Sequence, residues 1–202
     1  MSTNIKYYIF IAILILWHIF MLVCYTSPNV SDIYYQYYIK GGIEKWNRGK
    51  GSRYSYGKLI DFRKGGDSED FVLGGFSNQE KLGSWTSGEN IHIFLLPDSL
   101  AKHDINLYLG AFPFINEKHK SQIIEVSVNG IMVKKYKYSI INSERSLQII
   151  RINKNIINSK NKNIDIKINA FNLVSPRELG LNDDARKLGL CVDSIMLKEI
   201  KR

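Results

Sequence analysis

Cysteine is nearly absent: the 202 residues hold only two, Cys24 and Cys191. Cys24 lies in an apolar run and Cys191 in a predicted strand far along the chain. An intramolecular disulfide is therefore not expected, and two thiols alone cannot build a zinc site. Cys191 reads instead as a small core residue. Histidine is scarce too, and positions 18, 92, 103 and 119 have no metal-ligand spacing. No glycine-rich loop follows a strand and opens a helix, which argues against nucleotide binding. No Gly-x-Ser-x-Gly elbow occurs, so the hydrolase nucleophile of that type is missing. With no catalytic signature and no ligand cluster, neither a cofactor nor a metal is expected.

Long apolar runs are also missing, with one exception. Residues 7–25, from Tyr7 to Tyr25, contain a single strongly polar side chain, His18. At about 1.5 Å rise per residue this run spans roughly 28 Å as a helix, the thickness of a bilayer's hydrocarbon layer. A secretory signal has a shorter core and a small-x-small cleavage site. This run ends Leu22-Val23-Cys24-Tyr25, and bulky Val23 stands where a lipoprotein signal carries a small residue. An uncleaved anchor is thus preferred over a cleaved signal or a lipidated Cys24. His18 reads as a neutral imidazole tolerated in the span. Lys6 precedes the run, whereas no Lys or Arg follows it until Lys40. That asymmetry places the N-terminus inside and the remaining chain outside the cytoplasm, a single-pass protein of the inner (cytoplasmic) membrane. Tyr7, Tyr8 and Tyr25 sit where interfacial aromatics belong.

Lys and Arg outnumber Asp and Glu, 28 to 19, for a net charge of +9. Lys40, Lys45, Arg48, Lys50, Arg53 and Lys58 cluster after the anchor, opposed there only by Asp32 and Glu44. Such a cluster suits anionic head groups or acidic polysaccharide, and reads equally well as a solvated linker. Nucleic acid is not an expected partner, because no recognition motif accompanies the charge. The organisation expected is an anchor over 1–26, a Tyr-rich basic connector over 27–55 and a domain over 56–202. From Tyr56 the pattern is β. Strand-length apolar or alternating runs lie at 58–62, 70–74, 91–96, 105–112, 123–128, 131–138, 147–152, 164–170 and 188–200. Asn129-Gly130 is the strongest hairpin signal. Residues 153–163, rich in Asn and Lys, read as an exposed loop. The fold class expected is all-β, an antiparallel jelly-roll-type sandwich preceded by one N-terminal transmembrane helix.

Two stretches concentrate residues suited to chemistry. Residues 74–88 read as a loop holding four glycines, Glu80, Trp85, Ser87 and other hydroxyls. Glycine permits close ligand approach, and an indole offers a flat apolar face matching the C–H face of a sugar. A packing role for Trp85 and a backbone-bracing role for Glu80 read about equally well. Residues 175–190 hold Asp183, Asp184 and Arg186, a set that braces a loop or presents an acceptor and a forked donor to hydroxyls. One helical turn is expected at 175–180.

These stretches fall in a recurring order. Tyr56 and Ile60-Asp61-Phe62 come first, then Gly65-Gly66 and Gly75-Phe76-Ser77-x-x-Glu80-x-x-Gly83-x-Trp85-x-x-Gly88. Gln122 follows with Val126-x-Val128-Asn129-Gly130, then Ser175-Pro176-x-x-Leu179-Gly180 and Asp184-x-Arg186-x-Leu188-Gly189. This order resembles an exported β-sandwich domain at the C-terminal ends of bacterial glycosyltransferase-like and phosphoglycerol-transferase-like envelope membrane proteins. The likeness spans roughly residues 54–200. It implies an accessory module of surface polysaccharide biogenesis. This chain hangs on one anchor with no multispanning catalytic part, so no transferase chemistry is carried over.

The function expected is binding of glycan, or of a multispanning glycan-assembly protein, through Trp85, Glu80, Ser87, Asp184 and Arg186. Trp85 would stack on a sugar. Glu80 and Asp184 would accept hydroxyl hydrogen bonds, and Arg186 would fork onto hydroxyls or an acidic sugar. Two alternatives stand beside it. One is a carboxylate-dependent glycan hydrolase or transferase using Glu80 with Asp61 or Asp184. The other is a purely structural protein docking a partner through residues 33–50.

Overall fold

The computed structural model describes residues 3–26, 52–88, 90–160 and 163–200. The Tyr-rich segment 33–50 lies outside them. Helix α1 (Thr3–Thr26) contains a 19-residue stretch, Ile5–Val23, with a mean hydropathy of 2.1. By length and composition it can cross a membrane, and none of that stretch is buried by the protein. His18 Nδ1 lies 2.7 Å from the Leu14 carbonyl one turn back. A carbonyl only accepts, so the ring donates there, and its polarity is satisfied within the helix.

The remaining described residues form a sandwich of two sheets. The strands are β1 (Arg53–Tyr54), β2 (Leu59–Asp61), β3 (Val72–Gly74), β4 (Phe76–Gln79), β5 (Ser84–Ser87) and β6 (Asn90–Pro97). They continue with β7 (Ile105–Pro113), β8 (Ser121–Val128), β9 (Ile131–Ser139), β10 (Ser146–Ile152), β11 (Ile164–Phe171) and β12 (Leu188–Glu199). Sheet one runs β1-β6-β11-β8-β9 with β3 also beside β6; sheet two runs β10-β7-β12-β5-β4 with β2 also beside β12. The chain passes from one sheet to the other repeatedly, the jelly-roll habit expected from the strand pattern. One departure is β1, which pairs with β6 in parallel.

Alternation decides which side chains meet between the sheets. Leu107, Leu109 and Ala111 of β7 face Ile91, Ile93 and Leu95 of β6 and Ile164, Ile166 and Ile168 of β11 across the core, each 1% exposed or less. Each such aliphatic side chain stabilises the fold by about 1.5–3 kcal/mol on burial. In β12 the inward set is Leu190 and Val192, then Ile195 and Leu197. The phase slips because a bulge between Val192 and Ser194 inserts Asp193 as an extra residue. Tyr54 is fully buried in the same core. The sandwich therefore takes in β1, which composition alone assigned to the connector.

Two local features carry much of the order. Asn129 (φ 52°) and Gly130 (φ 85°) both adopt left-handed backbone, the type I′ turn that matches the twist of β8 and β9. The Asn129 amide donates to the carbonyls of Ile156 (2.8 Å) and Ile157 (3.0 Å), and its oxygen accepts from the Asp165 N–H (2.9 Å). It thereby pins residues 153–160, which are not the free loop their composition suggests. Asn153 caps helix α2 (Lys154–Ile157) by accepting from the Asn155 N–H, and Ile157 is buried.

Candidate functional site

Residues 74–88 are a strand pair, not the loop that their glycine content suggests. β4 and β5 form a hairpin at the margin of sheet two. Its turn passes so close to β12 that a Cβ on Gly83 would stand 2.3 Å from the Val192 carbonyl oxygen, so only glycine fits. Inward, the Ser84 hydroxyl donates to the Phe62 carbonyl (2.8 Å) and the Thr86 hydroxyl accepts from the Leu190 N–H (2.8 Å). Trp85 and Ser87 alternate with them and point outward.

Trp85 is partly exposed on that outer face and does not plug an end of the sandwich. Phe112 and Phe114 meet its indole edge-on, with centroids 5.4 and 5.9 Å away. Cys191 of β12 pairs in register with both Trp85 and Phe112. It is buried, yet on the outer side of the sheet and not in the main core. Burial, reinforced by the Glu80 and Asp193 carboxylates, pushes its thiol up to about 12.

The loop between β11 and β12 delivers the charged residues. Its start is the single turn expected from sequence: the Ser175 N–H donates to Glu178 Oε2, and the Glu178 N–H donates to Ser175 Oγ. Arg177 then donates to the Asp183 carbonyl (Nη2, 2.6 Å), which occupies that loop with its own bracing. Arg186 is the hub. Its Nη2 lies 2.7 Å from Asp184 Oδ2, its Nε reaches both Asp184 oxygens at 3.0 Å, and its Nη1 reaches Glu80 Oε1 at 2.9 Å. Glu80 and Arg186 are 106 residues apart in sequence, so this contact ties the β4–β5 hairpin to the long loop. The guanidinium's hydrogen bonds hold Asp184 below the ordinary carboxylate range, and the Arg186 pKa rises in turn. Each terminal nitrogen of Arg186 keeps one N–H beyond these bonds. Ser87 shares the outward side of β5 with Trp85 but takes no part in the ion cluster.

Sequence reasoning did not name Phe112 and Phe114, although the inward alternation of β7 leaves Phe112 outward. It also did not name the pair formed by Arg145 Nε and Asp193 Oδ2 at 2.8 Å. Nothing in the sequence links those two residues, because the bulge that presents Asp193 exists only in the folded sheet.

Asp61 and Asp67 are each held by a neighbouring cation. Asp61 is engaged by Arg63 (Nη2 to Oδ2, 2.8 Å) and lies below the usual range for that reason. Asp67 accepts from the Asp61 N–H and pairs with Lys58 at 2.7 Å. Among the described residues, no three His, Cys, Asp or Glu converge as metal ligands.

No family model matches this chain, and no curated protein matches it. Solved structures share the sandwich architecture at a distance. One is the CBM36-1 domain of a multidomain xylanase from the hindgut metagenome of Trinervitermes trinervoides. It is 12% identical over 72% of this chain and 98% of that one, with a TM-score of 0.42. Another is carbohydrate-binding module CBM36 in complex with calcium and xylotriose, 11% identical over 70% of this chain and 99% of that one, with a TM-score of 0.40. A third is dimeric latent PorU from Porphyromonas gingivalis, 8% identical over 72% of this chain and 13% of that one, with a TM-score of 0.44. The sandwich is defined by this chain's own strand pairing.

Proposed function

We propose that this protein is a membrane-tethered β-sandwich that binds glycan, or a glycan-assembling membrane protein, outside the cytoplasm during bacterial surface polysaccharide biogenesis. The observation that carries this reading is the outer face at β5. Trp85 stands there partly exposed, with the Phe112 and Phe114 rings set nearly perpendicular to its own. A rigid indole costs little entropy to present and offers the flat face that a pyranose C–H surface matches. Glu80, Asp184 and Arg186 form a braced set of acceptors and leftover N–H donors on the elements flanking that strand. Ser87 adds a hydroxyl on the same side. Helix α1 supplies the tether, with the N-terminus inside. The resemblance to the C-terminal sandwich of envelope glycosyltransferase-like proteins supports the same assignment.

The test is binding of the full chain, held in detergent or nanodiscs, to an array of bacterial surface glycans. Trp85→Ala should lower the affinity about tenfold or more, equivalent to about 1.4 kcal/mol of lost stacking and burial. Circular dichroism would establish that the variant keeps its sheets. Binding by a folded Trp85→Ala variant equal to that of the parent would sink the site assignment.

A further inference from the structure

A second outward surface lies at the opposite margin of the sandwich. Six of the twelve large exposed apolar side chains described on the two sheets and their loops fall within residues 131–149: Ile131, Met132, Ile140, Ile141, Leu147 and Ile149. β9 is the margin of sheet one and β10 the margin of sheet two, and residues 140–145 join them. Ile140, Ile141, Leu147 and Ile149 therefore gather at the joining loop and the start of β10, whereas Ile131 and Met132 stand at the other end of β9, roughly 25 Å along the strand. The joining loop is not slack. The Ser139 N–H donates to Asn142 Oδ1, and the Ser143 hydroxyl donates to the Ile140 carbonyl, closing a single 3₁₀ turn at Ile140–Asn142. This built turn nonetheless leaves Ile141 95% exposed.

Leu147 and Ile149 continue the apolar band along the outer side of β10. Register carries it on: Ile149 pairs with Tyr108, Tyr108 with Met196, and Met196 with Leu59. Cations share this stretch: Lys137 stands on the outer side of β9 opposite Ile123, and Lys134 on its other side, with its Nζ 5.4 Å from the centre of the Tyr136 ring. Lys134, Lys135, Lys137, Arg145 and Arg151 occur between residues 131 and 151, against a single carboxylate, Glu144. Glu125, Asp193 and Asp104 engage Lys135, Arg145 and Arg151. Lys134 and Lys137 have no carboxylate partner among the described residues.

From this we infer that the β9–β10 margin rests on the surface of an anionic bilayer, with Ile140 and Ile141 entering the head-group layer and Lys134 and Lys137 meeting lipid phosphates. Protruding aliphatic side chains with lysines on the adjoining strand need no complementary pocket, and a bilayer offers none. A glycan gains little from them, since isoleucine and leucine present neither a ring face nor a donor. The inference rests on reading α1 as a membrane span, because that helix keeps the sandwich within reach of lipid. It is independent of what Trp85 binds.

The experiment uses the full chain with Cys24→Ser, spin-labelled at Ile141→Cys or, as control, at Leu181→Cys. Leu181 is also an exposed apolar position, 51% accessible, in the β11–β12 loop. The chain is reconstituted into phosphatidylcholine vesicles with or without phosphatidylglycerol. The readout is the ratio of collisions with oxygen to collisions with a water-soluble nickel chelate. With anionic lipid, position 141 should favour oxygen while position 181 stays water-like. Lys134→Glu with Lys137→Glu should return position 141 toward water, about fivefold in the docking equilibrium for each lysine lost. A chain that resists alkaline extraction yet reports water at position 141 overturns this inference alone. A chain that alkali extracts overturns it together with the membrane reading of α1. A signal that follows protein density and not anionic lipid overturns it in favour of contact between two copies.

Discussion

Arg186 gives the sharpest test of the charged cluster. Arg186→Met keeps the aliphatic stem and removes the guanidinium, leaving the Glu80 and Asp184 carboxylates facing a common gap. Each now stands within 3.0 Å of an Arg186 nitrogen. Two unit charges about 6 Å apart repel by about 0.7 kcal/mol in water and about 3 kcal/mol at an effective dielectric near 20. Arg186 and Glu80 are 38% and 43% exposed, so the screened end of that range applies, near 1 kcal/mol. The two lost pairs add about 0.2–1 kcal/mol each at such exposure. The variant should therefore lose about 1.5–3 kcal/mol at pH 7. The sign of the pH dependence is fixed by Asp184, whose pKa is lowered in the fold, chiefly by Arg186. Its stabilising contribution is present above the unfolded carboxylate value near 4 and is lost as pH falls through the folded one. The gap between parent and variant should thus close toward pH 2. Urea unfolding of the full chain in detergent at pH 7 and pH 2.5, followed by near-ultraviolet circular dichroism, measures it. A difference of the same size at both pH values would refute an electrostatic origin. Glu80→Gln combined with Arg186→Met should show coupling of at least about 0.5 kcal/mol at pH 7.

Two further outcomes concern the scaffold. The Tyr54 hydroxyl donates to the Lys58 carbonyl (2.7 Å) and accepts from the Leu197 N–H (2.8 Å), so Tyr54→Phe strands a buried donor and should cost about 1–3 kcal/mol by urea unfolding. Burial pushes Tyr54 up to about 12, so its contribution is fully present below pH 10, the unfolded value, and is lost between pH 10 and 12; Tyr56 and Tyr138 are pushed up likewise, so Tyr54→Phe should lose less stability over that interval than the parent but still lose some. Asn129→Gly keeps the left-handed turn but removes three side-chain hydrogen bonds, and should cost about 2–3 kcal/mol; Asn129→Ala should cost about 1 kcal/mol more for the strained backbone. Equal thermal midpoints for the two Asn129 variants would refute the backbone share.

The long strands were legible because their apolar residues alternate without interruption. Ile164, Ile166 and Ile168 announce β11, and Asn129-Gly130 announces the turn between β8 and β9. The β4–β5 hairpin was not legible. Its strands are four residues each, polar residues face inward at Ser84 and Thr86, and glycines punctuate them. Their inward hydroxyls are satisfied by Phe62 and Leu190, partners that no local pattern reveals. Residues 153–160 misled for a related reason: an Asn- and Lys-rich segment is anchored by one buried isoleucine and by Asn129 from another hairpin. Glu80, Asp184 and Arg186 could be named as chemically apt from sequence. That one guanidinium grips both carboxylates depends on a contact between distant segments, which only the folded chain supplies.

On the placement proposed above, with the sandwich outside the cytoplasm, Cys191 acquires a further bearing. Thiols there are oxidised readily, and an unpaired one invites cross-linking between copies. Here the sulfur sits in a buried position on the strand between Trp85 and Phe112, with its ionisation suppressed. The nucleophilic thiolate is thus withheld for as long as the aromatic face stays closed. The same packing that presents the indole doubles as a guard against oxidative damage, and loosening of that face would announce itself as a newly reactive sulfur.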